Sequence, residues 1–305
     1  MTHIVLSTGN IVSAGPSIIR KPGTYRSNLE LTNSLRDNFE AAQADYGTNN
    51  GNSAHAQGNG QQTNGVNGSA NGSATSSWTE TEDAVLYVPR IDWAGAGLEE
   101  DRDQYEVTVK LFFLPDPIPE AREEHIDEAL RLVFRELGIQ NVDLLIASFP
   151  GLSFEGDCEW EADKMNATMG SDEEEVFTWA TLERLQTTGV VGRLGIAEFG
   201  TAKLQRFIDK VNIKPAVDQI NLKDCCSVPM PLVRLAKSEG VELLTHSDST
   251  AILPSSTLQE LLGDDIVGNQ EVVPSWVAKY TAFVKNRGVI ENKGYFAGAQ
   301  LIPTD

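Results

Sequence analysis

After residue 77 the apolar residues fall into short blocks separated by longer stretches of helical spacing. Residues 84–89 (AVLYVP) and 105–113 (YEVTVKLFF) have the length and β-branched content of strands. Residues 119–138 place Ile126, Leu130, Val133 and Leu137 on one side of a helix, and 142–147 form the next strand. Ser171-Asp-Glu-Glu174 is a capping-box pattern whose carboxylates suit the positive end of a helix dipole. It opens a helix through Trp179 and Leu182 to about Thr187, near Gly189. Strands are predicted over 193–197, 216–222 and 241–246, with helices over 201–211 and 231–240. The spacing also predicts a last helix over 275–287, with Trp276 and Tyr280 four apart on its core side. Upstream lie a short apolar run, Ile4-Val5-Leu6, and a helix over 27–44.

Strands alternating with helices in this way specify βα units and a parallel sheet. Residues 78–305 match a compact (β/α)8 TIM barrel, a fold of roughly 200–250 residues. A doubly wound sheet is the structural alternative, but no Gly-x-Gly-x-x-Gly follows any strand. Three segments are therefore expected. Residues 1–46 form an N-terminal strand and helix packing on the barrel, 47–77 an insertion, and 78–305 the barrel. The insertion is almost wholly Gly, Asn, Ser, Gln, Ala and Thr, too polar to offset its ordering entropy, and is expected to be disordered.

The net charge is −20, which disfavours nucleic acid and anionic membranes and would suit either a basic partner or simple solubility. No apolar run is long enough for a membrane span, and no signal peptide is evident, so a cytoplasmic location is expected. Three cysteines, Cys158, Cys225 and Cys226, fit a reducing compartment. No cysteine–histidine cluster at ligand spacing occurs, so no metal site is expected. The acidic run 155–175 reads as a solvated surface loop, and Cys158 within it as inert.

Four segments in order, VTVKLFF (107–113), DLLIASFP (143–150), GVVGRLGIAEF (189–199) and PAVDQINL (215–222), resemble the aldo-keto reductases. The resemblance implies their barrel, here with a shortened C-terminus. It also implies a site check, because that family moves a hydride from NADPH with a tyrosine, a lysine, an aspartate and a histidine. Lys110 falls at the lysine position, whereas Ser148 replaces the histidine. Ala197 and Glu198 replace the serine and asparagine that hold the nicotinamide amide, Gln219 is kept, and His246 stands at the stacking aromatic. Lys110 and Ser148 are thus vestigial positions, with no catalytic residue and no cofactor expected. A rival reading takes Asp45 and Tyr46 of Gln43-Ala-Asp-Tyr-Gly47 as catalytic partners of Lys110 in a divergent NADPH-dependent reductase. A nucleotide pocket kept only as a sensor is a third possibility.

A second resemblance is closer. Residues 219–230 (QINLKDCCSVPM), 240–248 (GVELLTHSD), 276–295 (with VKNRGVIENKGY) and 6–11 (LSTGNI) resemble the regulatory, or modifier, subunits of glutamate–cysteine ligase. That resemblance implies a non-catalytic polypeptide forming a heterodimer with the ligase's catalytic subunit. Binding would improve the use of glutamate and relieve feedback inhibition by glutathione. Candidate interface residues are Cys225, Cys226, His246 and Asp248, at the strand ends where this barrel places its sites. The cysteines are equally readable as small apolar packing, and His246 with Asp248 as an internal hydrogen bond.

Overall fold

The computed structural model describes residues 2–13, 27–48, 77–115, 117–155, 158–221 and 227–304. Its first elements are β1 (Thr2–Ser7), α1 (Ser27–Thr48), β2 (Glu80–Glu82), β3 (Val85–Val88) and β4 (Tyr105–Phe113). A regular alternation follows: α2 (Arg122–Leu137), β5 (Val142–Ser148), α3 (Glu159–Asn166), α4 (Asp172–Thr187), β6 (Val191–Ala197), α5 (Thr201–Ile208), β7 (Val217–Asn221), α6 (Met230–Glu239) and β8 (Glu242–His246). Last come α7 (Ser255–Leu262), α8 (Asp264–Val267), β9 (Gln270–Val284) and β10 (Val289–Pro303).

One ten-stranded sheet, ordered β2-β3-β1-β10-β9-β4-β5-β6-β7-β8, joins them. Strands β4 to β8 run parallel, as the alternation predicts. Helices α2, α4, α5 and α6 bury their apolar sides on one face, where Trp179 packs edge-on to Phe207. The opposite face is covered by α1 and α7, with Leu31, Leu35 and Leu258 against Ile4, Leu6 and Val277. The mixed α/β architecture agrees with expectation, but among the described residues no hydrogen-bonded pair joins β2 to β8 to close a barrel.

The C-terminal segment departs from the sequence reading. Residues 275–287 are not a helix: β9 and β10 form an antiparallel hairpin wedged between β1 and β4. Residues four apart share a face in a helix and in a strand alike, so Trp276 and Tyr280 could not separate the two. Trp276, Ala278, Tyr280, Ala282 and Val284 alternate onto the α2 side, while Val277 is buried on the other face. A strand buried on both faces loses the polar alternation that marks it. Gly288, at φ +67°, makes the turn that returns the chain.

Within residues 155–175 the loop reading is corrected by α3, whereas α4 starts where the capping pattern predicts it. Asn166 and Glu175 in that stretch are buried. The cap of α4 forms at Ser171, whose hydroxyl accepts from the Glu174 amide at 3.4 Å. The reciprocal bond comes from Glu175, which accepts from the Ser171 amide at 3.1 Å, because Glu174 is drawn to Arg122 at 3.0 Å. Residues 49–76, most of the polar tract, lie outside the described residues, and α1 runs two residues into that tract.

Candidate functional site

Strand register determines which side chains meet. Lys110 lies opposite Lys279 on one side and Ile146 on the other; Ala197 faces Gln219, and Asn221 faces His246. Alternation then sends Lys110, Ile146, Gln219, His246 and Lys279 to the same face. Gly195 lies between Ile146 and Val217; a Cβ there would sit 3.1 Å from Ile146 and 3.2 Å from Val217. The close approach of β5, β6 and β7 leaves little room for a side chain at this position.

Past the end of β8, Asp248 turns back over this row. Its carboxylate accepts from the Lys110 ammonium at 2.8 Å and from the Lys279 ammonium at 2.9 Å. Burial alone would push the Asp248 carboxyl up, but the charges of Lys110 and Lys279 hold it well below the usual aspartate range. The Asp248 backbone amide donates to His246 Nδ1 at 3.0 Å. The ring proton is accordingly assigned to Nε2, which lies 2.7 Å from Glu198 Oε1.

Glu198 is the second hub. Its other carboxylate oxygen accepts from the Phe154 amide at 2.7 Å, holding the loop after β5 over the strand ends. Its backbone is clamped between Gln219 and Asn166, and it adopts φ +67°, unusual for any residue but glycine. Behind it Asp218 is fully enclosed, and burial pushes its carboxyl well above the ordinary range.

Two cavities share His246 and Asp248 as walls. One of about 300 Å³ opens at the C-terminal ends of the parallel strands, between Phe112, Ser148, Phe149, Glu198 and Ile252. The other, about 170 Å³, lies toward the strand starts, between Thr108, Lys110, Gln219, Lys279 and Thr281.

The fold thus gathers Lys110, Ser148, His246 and Asp248, with a hydrogen bond between His246 and Asp248, one of the two readings of that pair. It keeps Tyr46 elsewhere, with the Arg90 guanidinium 5.0 Å from the centre of its ring, while Lys110 pairs with Asp248. Cys225 and Cys226 lie outside the described residues. Cys158 is exposed, at the residue before α3. Sequence reasoning missed Lys279 because it stood in the segment read as a helix. It noted Glu198 only as a lost donor, although a carboxylate followed by a strand-to-helix turn was the available signal.

The Aldo/keto reductase family profile matches residues 84–259. The chain belongs to that family. Several curated relatives are named as the regulatory subunit of glutamate–cysteine ligase. One from Schizosaccharomyces pombe is 30% identical over 220 residues, covering 65% of this chain and 72% of its own. The protein of Homo sapiens is 28% identical over 203 residues, covering 66% of this chain and 68% of its own. A solved aldo-keto reductase of Bombyx mori is 20% identical, with a TM-score of 0.32 over 41% of this chain and 37% of that one. This chain therefore spans less than half the length of that solved reductase.

Proposed function

We propose that this protein is a regulatory subunit of glutamate–cysteine ligase, acting by binding and not by catalysis. The observation that carries the reading is the carboxylate of Asp248 held between Lys110 and Lys279, which occupies the family lysine, while Tyr46 of the rival reading lies elsewhere. The names of the curated relatives supply the partner. Binding the catalytic subunit in a cytoplasmic heterodimer would improve glutamate use and relieve inhibition by glutathione. For that, the protein must contact the more competent state of its partner differently from the weaker state.

The residues present do not fit a nicotinamide dinucleotide. Ala197 has no donor to offer, and the Glu198 carboxylate is engaged by the Phe154 amide and His246. The proposed interface is the rim at the C-terminal ends of the parallel strands, around Cys225, Cys226, His246 and Asp248. The side chains of His246 and Asp248 are only 9% and 7% exposed, so they would act by shaping the rim. Substitutions at this rim that leave association intact would remove it as the interface.

The deciding experiment is ligase activity of the purified catalytic subunit, with and without this protein, across glutathione concentrations. A lower apparent KM for glutamate with weaker glutathione inhibition is expected. Unchanged activity with no complex on gel filtration would overturn the proposal and favour the divergent reductase.

A further inference from the structure

The inner cavity of about 170 Å³ has a composition that the proposed function does not use. Two cross-strand rows from β4 and β9 build its wall: Thr108 opposite Thr281, and Lys110 opposite Lys279. Like charges placed directly opposite each other in an antiparallel pair are destabilising unless something neutralises them. Asp248 takes one hydrogen bond from each ammonium and offsets part of their charge, and the Glu198 carboxylate also acts on Lys110. An ammonium has three N–H groups, so each lysine keeps donors that Asp248 does not use.

Gln219 reaches the cavity from β7; its carbonyl oxygen, without a hydrogen-bond partner among the described residues, is an acceptor, so only its amide N–H groups could serve an anion. Thr108 and Thr281, paired one row from the lysines, add two hydroxyl-bearing side chains to the lining. Ile146 is the one aliphatic residue in the lining. At roughly 30 Å³ of liquid volume per water, the space admits a carboxylate or phosphate group with water around it. A half-open recess lined by two ammonium groups and two hydroxyl-bearing side chains is suited to charge-assisted hydrogen bonds.

We infer that the chamber between β4, β7 and β9 binds a small oxyanion, a phosphate or carboxylate group, through Lys279, Lys110 and the hydroxyls of Thr108 and Thr281. The site is separate from the cavity at the strand ends, since His246 and Asp248 stand between the two. It is independent of whether the protein regulates the ligase.

The test uses the purified full chain, titrated with sodium phosphate and separately with sodium acetate, with sodium chloride holding ionic strength constant. Calorimetry and the shift in Tm read the binding. Saturable binding of either anion is expected, and which anion binds identifies the group. The dissociation constant should rise by about tenfold or more in Lys279→Met, and by about fivefold in Thr281→Val, which loses one hydroxyl at constant size. If Lys279→Met does not fold, the Thr108→Val/Thr281→Val double variant, which keeps every charge, carries the test. No saturable binding by the wild-type chain would overturn the inference. So would affinity unchanged in the variants that fold, since the anion would then sit elsewhere.

Discussion

Lys110 and Asp248 form a 2.8 Å ion pair across 138 residues of chain, with side chains only 5% and 7% exposed. The lysine comes from the interior of a strand, and the aspartate from the loop beyond the last parallel strand. Lys279 completes the group from a hairpin inserted between β1 and β4. The group therefore ties together the two ends of the parallel run, which no strand pairing joins among the described residues.

Asp248→Asn should be among the most damaging substitutions in the molecule. It leaves the buried Lys110 facing the partly exposed Lys279, and breaking a buried ion pair from one side typically costs about 3–5 kcal/mol. The Asp248 carboxyl is held below the ordinary value of 3.8 in the folded state. Its contribution is thus present above that value and lost as pH falls through the depressed folded pKa. Urea unfolding at neutral and acidic pH should show the gap between wild type and variant narrowing in acid. A gap that stays constant would mean Asp248 is not ionised in the fold.

Glu175 has the opposite sign. Burial raises its carboxyl to about 7 from the ordinary 4.5, despite Lys203 at 2.8 Å. The folded chain thus holds the proton more tightly than the unfolded chain, and the stability this provides is present below 4.5 and lost as pH rises through about 7. Glu175→Gln removes that dependence, so the stability difference should move in favour of the variant across this interval. Chemical denaturation at both ends of the interval decides it, and a difference independent of pH would contradict the assignment.

Glu198 separates a side-chain role from a backbone role. Glu198→Ala and Glu198→Gly both lose the carboxylate that holds the Phe154 amide, a bond whose loss costs about 1–3 kcal/mol. Exchange of the Phe154 amide should be faster in both. Only glycine adopts φ +67° without strain, so Glu198→Gly should be the more stable variant. Equal stability would show that the backbone there carries no strain.

Titration with NADPH checks the lost cofactor site directly. No saturable change in NADPH fluorescence is expected at micromolar concentrations. Saturable quenching would show that Glu198 can leave His246 and Phe154, and would restore the reductase reading.

Much of the fold was legible because strand and helix periods differ. The strand 105–113 was read to its observed bounds, and 142–147, 193–197, 216–222 and 241–246 to within two residues. At 275–287 the reading failed because β9 is buried on both faces, and because four-residue spacing does not distinguish strand from helix.

Of the site, the sequence by itself determined the vocabulary: a lysine inside one strand, Ser148 at the end of the next, Ala197-Glu198 before a turn, and a His-x-Asp after the last parallel strand. Local pattern carries that information, since each residue's direction follows from its own strand. Only the tertiary structure decided the pairing, placing Lys279 opposite Lys110, Asp248 between them, and Glu198 against His246. Those contacts depend on which strands become neighbours. That order is set by the burial of a whole sheet, in which β9 and β10 entered beside β4 instead of following β8.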